Sequence, residues 1–324
     1  MSGALFAAFA AVLAWATPVT AQDWPTRPVT MVVPFAAGGP TDVLGRVMAQ
    51  RLTEILGQRV VVENVTGAGG MIGAQRVAQG PKDGSQFVLG TVGTHAVNQT
   101  LYRKPAYDAA ADFEPVALIA DLPLILITRR DLAVNSLQDF IAYVRANQDR
   151  MTYGSAGTGS ATHLGCLLLN SVLGTKVEHV PYRGSSQALQ DLTGGRIDFM
   201  CDISSTALPQ IQGNAVKAIA VLAPGRLKML QNVPTADEQG LKGFEAYTWN
   251  AFFLPRGTPE AIVRKLHDAT VEAMNSPQVR ERLESLGAGF VTPERATPEY
   301  LGGFVRSEIE KWAAPIRASG VVAD

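Results

Sequence analysis

From Pro28 onward, short runs rich in β-branched residues alternate with stretches of helical periodicity. Val29, Thr30, Met31, Val32 and Val33 form the first run and read as a buried strand. Apolar residues then recur at helical spacing over 43–56 and stop at Gly57, a residue suited to ending a helix. A strand over 60–62, a short helix over 72–78 and a strand over 87–89 follow. This βαβα alternation predicts a parallel sheet covered on both faces. After a bridging stretch the rhythm restarts with a strand over 124–127, a helix over 137–146 and a strand over 151–153. A helix over 161–173, a strand over 177–180, a helix over 186–193 and strands over 197–201 and 216–221 continue it. A strand over 251–254 is closed by Pro255, and the remainder is helical over 260–275, 279–286 and 298–319. Pro259, Pro277 and Pro298 stand at the starts of these helices, where a missing N–H costs nothing. Two α/β units, the first completed by the C-terminal helices, predict a bilobed molecule with a cleft between its lobes. The lobes are assigned to 23–122 plus 249–324 and to 123–248, with crossings near 121–123 and 247–249.

The beginning of the chain breaks this pattern. A continuous apolar run over 5–16 is too short to span a bilayer, which takes about 20 helical residues. Small residues at Val19 and Ala21 suit cleavage after Ala21, so residues 1–22 are expected to be a secretory leader. The segment before Leu5 lacks the usual Lys or Arg, which a start site placed too late would explain. No later segment has 18 uninterrupted apolar residues, so the mature protein is expected to be soluble and periplasmic. Lys+Arg 28 against Asp+Glu 29 leaves a net charge of −1, and no basic block provides a nucleic-acid footprint. Cys166 and Cys201 fit an oxidising compartment without requiring a bridge.

In open α/β sheets ligands bind at the carboxyl ends of strands, so the strand-to-helix turns are the candidate sites. The first runs Pro34, Phe35, Ala36, Ala37, Gly38, Gly39, Pro40, Thr41, Asp42. Its small residues let backbone approach a ligand, and its free N–H groups at a helix start favour an anion. Asp42 would repel a carboxylate and is expected to cap its own helix instead. The second runs from Tyr153 through Gly154, Ser155, Ala156, Gly157, Thr158, Gly159 and Ser160 to Thr162 and His163. Either turn alone is explained by tight strand–helix packing; as a pair, one per lobe, they suggest a clamp. Further candidates are Thr94, His95 and Asn98 after the strand near Gly90, Arg183 after the strand over 177–180, and Asp202 after the strand over 197–201. Capping or a solvated loop would account for each of these equally well.

Catalytic readings find little support. Gly67 to Gly73 misses the dinucleotide fingerprint, with Ile72 where the third glycine belongs. Gly154-Ser155-Ala156-Gly157 spaces its glycines wrongly for a nucleophile elbow. The four histidines are scattered singly, so neither a metal nor a cofactor is expected, and only His95 or Asp202 could serve an enzyme as a base.

At these residues the chain resembles the periplasmic solute receptors of tripartite tricarboxylate transporters, the Bug family. The resemblance covers nearly all of the mature chain. It rests on Trp24-Pro25, the turn from Val33 to Asp42, Val61-Val62-Glu63-Asn64 and Gly67 to Gly73. It continues through Tyr153 to His163, Val180-Pro181-Tyr182-Arg183-Gly184, Gly194-Gly195-Arg196-Ile197-Asp198, Pro234-Thr235 and Trp249 to Pro255. The resemblance implies a two-lobed Venus-flytrap fold of type II-like periplasmic binding proteins, with no catalytic activity. It implies a small organic acid as ligand (a di- or tricarboxylate, an acidic amino acid or an aromatic acid) and membrane transporter subunits as partners of a monomeric receptor. One carboxylate would be held by Phe35, Ala36, Ala37, Gly38, Gly39 and Thr41 with Ser155, Ala156, Gly157 and Thr158, and Asp202 would be a further contact. The far end would meet Thr94, His95, Asn98, Thr162 and Arg183. A sensing module that passes the bound state to a signalling partner would use the same cleft.

Overall fold

The computed structural model describes residues 24–323; the expected leader over 1–22 lies outside the described residues. Strand β1 (Val29–Val33) buries its β-branched run between two parallel neighbours. Helix α1 (Pro40–Leu56) leads to one of them, β2 (Val60–Asn64), and α2 (Met71–Ala78) to the other, β3 (Gln86–Thr91). Helix α1 begins on Pro40 and stops at Gly57, whose φ of 66° needs no accommodation for a Cβ. Beyond β3 a π-turn over Gly93–Val97 runs into the short α3 (Asn98–Leu101).

The stretch expected to be a mere bridge is instead the first part of the longest strand, β4 (Phe113–Arg129). Pro115, Asp121 and Pro123 mask it in the sequence. Pro115 sits at a register shift against β9 (Tyr247–Pro255), the kind of irregularity at which a strand accommodates proline. Pro123 lies where β4 changes partners. Up to Pro123 it pairs with β9; from Leu124 to Arg129 it pairs with β7 (Phe199–Ile203) and β8 (Val216–Leu222). Helix α4 (Leu137–Asn147) leads to β5 (Thr152–Ser155), α5 (Ala161–Leu173) to β6 (Glu178–Pro181), and α6 (Ser185–Thr193) to β7.

Each lobe therefore has the same strand order: β2-β1-β3-β9-β4 in one and β6-β5-β7-β4-β8 in the other. In both, three parallel strands are followed by one antiparallel strand that arrives from the other lobe. This symmetry has no counterpart in the sequence, because it resides in connectivity and not in residue identity.

Between β7 and β8 lies α7 (Ser204–Gln212), where the sequence suggests only a polar turn. Strand β7 runs two residues further than expected, so Asp202 is a strand residue and not part of a loop. The C-terminal elements are α8 (Glu260–Asn275), α9 (Pro277–Ser285), β10 (Gly289–Phe290) and α10 (Pro298–Ser319). They return to the first lobe: α8 packs on α1 and β4, and α10 packs on β4 and α3. Glu308, buried in α10, accepts hydrogen bonds from Nε1 of Trp249 at 3.0 Å and of Trp312 at 3.2 Å. A buried carboxylate with two indole donors anchors the last helix to the crossing strand β9. Cys166 and Cys201 are free, buried thiols with sulfurs 2.7 Å apart.

Candidate ligand-binding site

The first glycine turn projects from the end of β1. Its brace is Asp42, which is 2% exposed. One carboxylate oxygen accepts from the Gly38 amide and Arg46 Nε, both at 2.9 Å; the other accepts from Asn64 Nδ2 at 2.9 Å. Asn64 also donates to the Phe35 carbonyl at 2.9 Å. Burial works to raise the Asp42 pKa, but the bonds from Arg46, Gly38 and Asn64 hold it below the ordinary value. Asp42 thus faces backward and shapes the turn. Gly38 itself has φ +74°, the left-handed region that favours glycine.

The second turn is held from within. The Ala156 amide donates to Thr162 Oγ1 at 2.8 Å, the Gly157 amide to Ser155 Oγ at 3.1 Å, and the Gly159 amide to His163 Nδ1 at 3.2 Å. Ser160 caps α5 by accepting from the His163 amide. The hydroxyls of Ser155, Ser160 and Thr162 are in this way committed to the turn. Among the described residues no acceptor lies within hydrogen-bond reach of the Ala36, Ala37 or Thr158 amides. Those three donors are what the two turns present.

A third turn completes the site and went unrecognised in the sequence. Gly184, with Ser185 and Ser186 in the opening turn of α6, packs against the first glycine turn across the cleft. A Cβ on Gly184 would come within 2.7 Å of the Ala36 Cβ, and Ser186 Oγ donates to the Ala37 carbonyl at 3.1 Å. The N-termini of α1 and α6 therefore abut, each adding positive potential that favours an anion. Locally Gly184 and Ser185 show only a strand end opening a helix; what makes them part of the site is the approach of Ala36, a contact between distant segments.

Below this junction lies Asp202, with no exposed surface. Its Oδ2 accepts from Thr206 Oγ1 at 2.7 Å; among the described residues Oδ1 and the buried hydroxyls of Ser185 and Ser205 complete no hydrogen bond of good geometry, although the Ser185 hydroxyl lies near enough to Asp202 to act on its pKa. Burial raises its pKa to about 6, against the opposing pull of Thr206, Ser185 and the Ile203 amide. Buried polar atoms left unpaired in this way mark a place where a bound group completes the hydrogen bonding.

The remaining expected contacts divide. Asn98 reaches the lobe junction, with Nδ2 donating to the Gly69 carbonyl at 3.4 Å and Oδ1 unpaired. Arg183 is exposed and lines a cavity of about 470 Å³ with Gly67 to Gly70, Tyr102, Thr158 and Gln187. His95 is not on the cleft wall. Its ring is fully buried, stacked on Phe253 at 3.9 Å and tilted against Phe113 at 4.6 Å. Burial lowers its pKa to about 3, so it is a neutral core residue. Thr94 Oγ1 is committed to Thr91 and to His95 Nδ1. The expectation for His95 fails because the π-turn directs its ring inward, which a count of histidines cannot reveal.

Two lobes joined by crossing strands, with glycine turns and helix N-termini facing each other across a cleft, define a solute-binding receptor of the periplasmic binding protein type. The chain belongs to the tripartite tricarboxylate transporter receptor family, whose description, "Tripartite tricarboxylate transporter family receptor", matches residues 44–321. It is 42% identical over 312 residues to a protein of Agrobacterium vitis from the TAR-I ttuE-ttuC' intergenic region, covering 96% of this chain and 89% of the relative. The structure of the periplasmic binding protein BugD aligns with a TM-score of 0.90 at 39% identity, covering 93% of this chain and all of BugD. MatC of Rhodopseudomonas palustris with bound malate aligns with a TM-score of 0.88 at 41% identity, covering 90% of this chain and all of MatC. Proteins of this family are periplasmic solute-binding receptors and not enzymes.

Proposed function

We propose that this receptor captures a small organic carboxylate between its lobes and delivers it to a tripartite tricarboxylate-type membrane transporter. The carrying observation is the first turn, with its free Ala36 and Ala37 amides, abutting the N-terminus of α6 beside the incompletely bonded Ser185 and Asp202, while the second turn, with its free Thr158 amide, meets the first lobe at Gly69. The malate bound by MatC supports the ligand class. In this reading the carboxylate lies against Phe35, Ala36, Ala37, Gly38, Gly39 and Thr41 on one side and Ser155, Ala156, Gly157 and Thr158 on the other. Asp202 closes the floor. Asn98 and Arg183 meet the far end, and Thr162 acts by bracing the second turn. The lobes comprise 23–122 plus 249–324 and 123–248, the leader is removed near Ala21, and the receptor works as a monomer. Charge-assisted hydrogen bonds of roughly 1.5–3 kcal/mol each would supply most of the about −8 kcal/mol of a micromolar complex, after ordering costs.

A thermal-shift screen of the mature protein against mono-, di- and tricarboxylates tests this reading. At least one acid should raise the melting temperature in a concentration-dependent way. A shift by sugars or amines with none by any acid would overturn it. Gly38→Val is a narrower test. Its φ of +74° strains a β-branched residue by about 1–3 kcal/mol, and the added bulk meets Ser186 across the cleft. The variant should still unfold cooperatively, a few degrees lower, and the thermal shift by the wild-type ligand should vanish. An undiminished shift would remove the first turn from the site.

A further inference from the structure

The lobes meet backbone to backbone at a second place, beside the anion site. A Cβ on Gly93 would lie 2.6 Å from the Gly159 carbonyl oxygen, and one on Gly69 would lie 2.1 Å from the Thr158 carbonyl oxygen. Gly69 and Gly93 belong to the first lobe, Thr158 and Gly159 to the second. The obstructing atoms are main chain, so no rotamer change relieves the contact.

The two first-lobe glycines differ in what their own lobe asks of them. Gly69 has φ +58°, so its conformation already favours glycine. Gly93 does not: it opens a helical turn and its φ is not in the left-handed region. After the Gly159 oxygen, the nearest atoms to a Cβ at 93 are Ser160 Cα at 3.4 Å, also of the second lobe, and Thr91 Oγ1 at 3.5 Å. Alanine is a better helix former than glycine, so nothing in the first lobe accounts for glycine at 93. The approach of the second lobe does.

We propose that Gly93 is a positioning residue for ligand capture: its missing side chain permits the last step of lobe closure that brings the Thr158 amide onto the acid. This rests on the function proposed above. A side chain at 93 leaves the open form undisturbed and holds the cleft ajar, so the acid meets the first turn but not the second. Affinity then falls by the fraction of closed receptor lost.

The test uses the full mature chain with Gly93→Ala and a reporter of closure that needs no ligand. Cβ atoms at 38 and 186 lie 3.8 Å apart, the usual separation across a disulfide. Gly38→Cys with Ser186→Cys should therefore cross-link under oxidised glutathione, two thiols passing two electrons and two protons to one glutathione disulfide. Adding Gly93→Ala should slow this cross-link at least tenfold. In a chain with Gly38 and Ser186 intact, Gly93→Ala should weaken binding of malate, or of whichever acid shifts the wild type, at least tenfold. Its unliganded melting temperature should stay within ~2 °C of wild type. An unchanged cross-linking rate, or unchanged affinity, overturns the proposal. So does a large loss of unliganded stability, which would show that the first lobe itself needs glycine at 93. If no acid binds the wild type, the carboxylate reading fails by itself, and the cross-linking rate still decides whether Gly93 governs closure.

Discussion

Acidification from pH 6 to pH 4.5 should remove about 4 kcal/mol of folding stability, a large part of the 5–15 kcal/mol typical of a domain. The cause is three neutral histidines, His95 and His163 buried and His179 half-buried. Burial lowers His95 to about 3, His163 to about 3 and His179 to about 4, from an ordinary value of 6.5. The neighbouring His179 lowers His163 further, their ring centroids being 4.3 Å apart. For a base with a depressed folded pKa, stability is present above the unfolded value and lost as pH falls towards the folded one. Between pH 6 and 4.5 the unfolded chain binds about three protons that the folded chain refuses. Asp202 acts in the opposite sense, since its folded carboxyl keeps a proton there that the unfolded chain releases. The net uptake on unfolding is about two protons, or about 3 kcal/mol per pH unit. Denaturant titrations at pH 4.5, 6 and 7.5 measure this. A flat profile would mean that these rings are hydrated in solution, or that their protonated forms find an anionic partner. His95→Phe, which keeps an aromatic ring on Phe253, should reduce the slope by about 1 kcal/mol per pH unit.

Asp202→Asn should stabilise the unliganded receptor at pH 7.5 by up to about 3 kcal/mol, or roughly 6 °C in melting temperature. A rise in pKa from 3.8 to about 6 means that the folded state bears a charge that burial disfavours. The sign follows from the raised value. Below the unfolded pKa both states are protonated and the full stability is present; it declines as pH rises from about 4 through 6 and stays low above. The gain from Asn should therefore be largest above pH 6 and shrink towards zero at pH 4. The same change should steepen the acid loss to nearly three protons, because the opposing group is gone. No gain at pH 7.5 would mean that Asp202 is solvated or paired. A buried charge kept at some cost in stability is consistent with a role in binding.

Much of the fold could be read from local pattern. The β-branched runs at 29–33 and 60–62 and the helical periodicity over 161–173 and 260–275 correspond to strands and helices within a residue or two. Their caps are local too, as with Pro40 and Gly57 around α1. Strand β4 escaped because its prolines look like breakers until a register shift and a change of partner accommodate them. Helix α7 escaped because Ser204, Ser205 and Pro209 weaken its apolar stripe. In the candidate site, the Ala36–Gly39 and Ser155–Thr158 turns were legible as glycine-rich strand ends. The turn at Gly184 and Ser185 was not, because its partner Ala36 lies nearly 150 residues away.

The sequence alone determined the alternation of strand and helix, the turns where backbone is exposed, and a net charge close to zero, because these depend on neighbouring residues and on composition. Tertiary structure decided which polar groups remain free to bind. Packing turned His95 into a neutral core ring, bent Asp42 back on its own turn, and committed Ser155 and Thr162 to bracing. It buried Asp202 without a full set of partners and brought Gly93 against Gly159. Each outcome depends on desolvation and on contacts between distant segments, which local sequence does not encode.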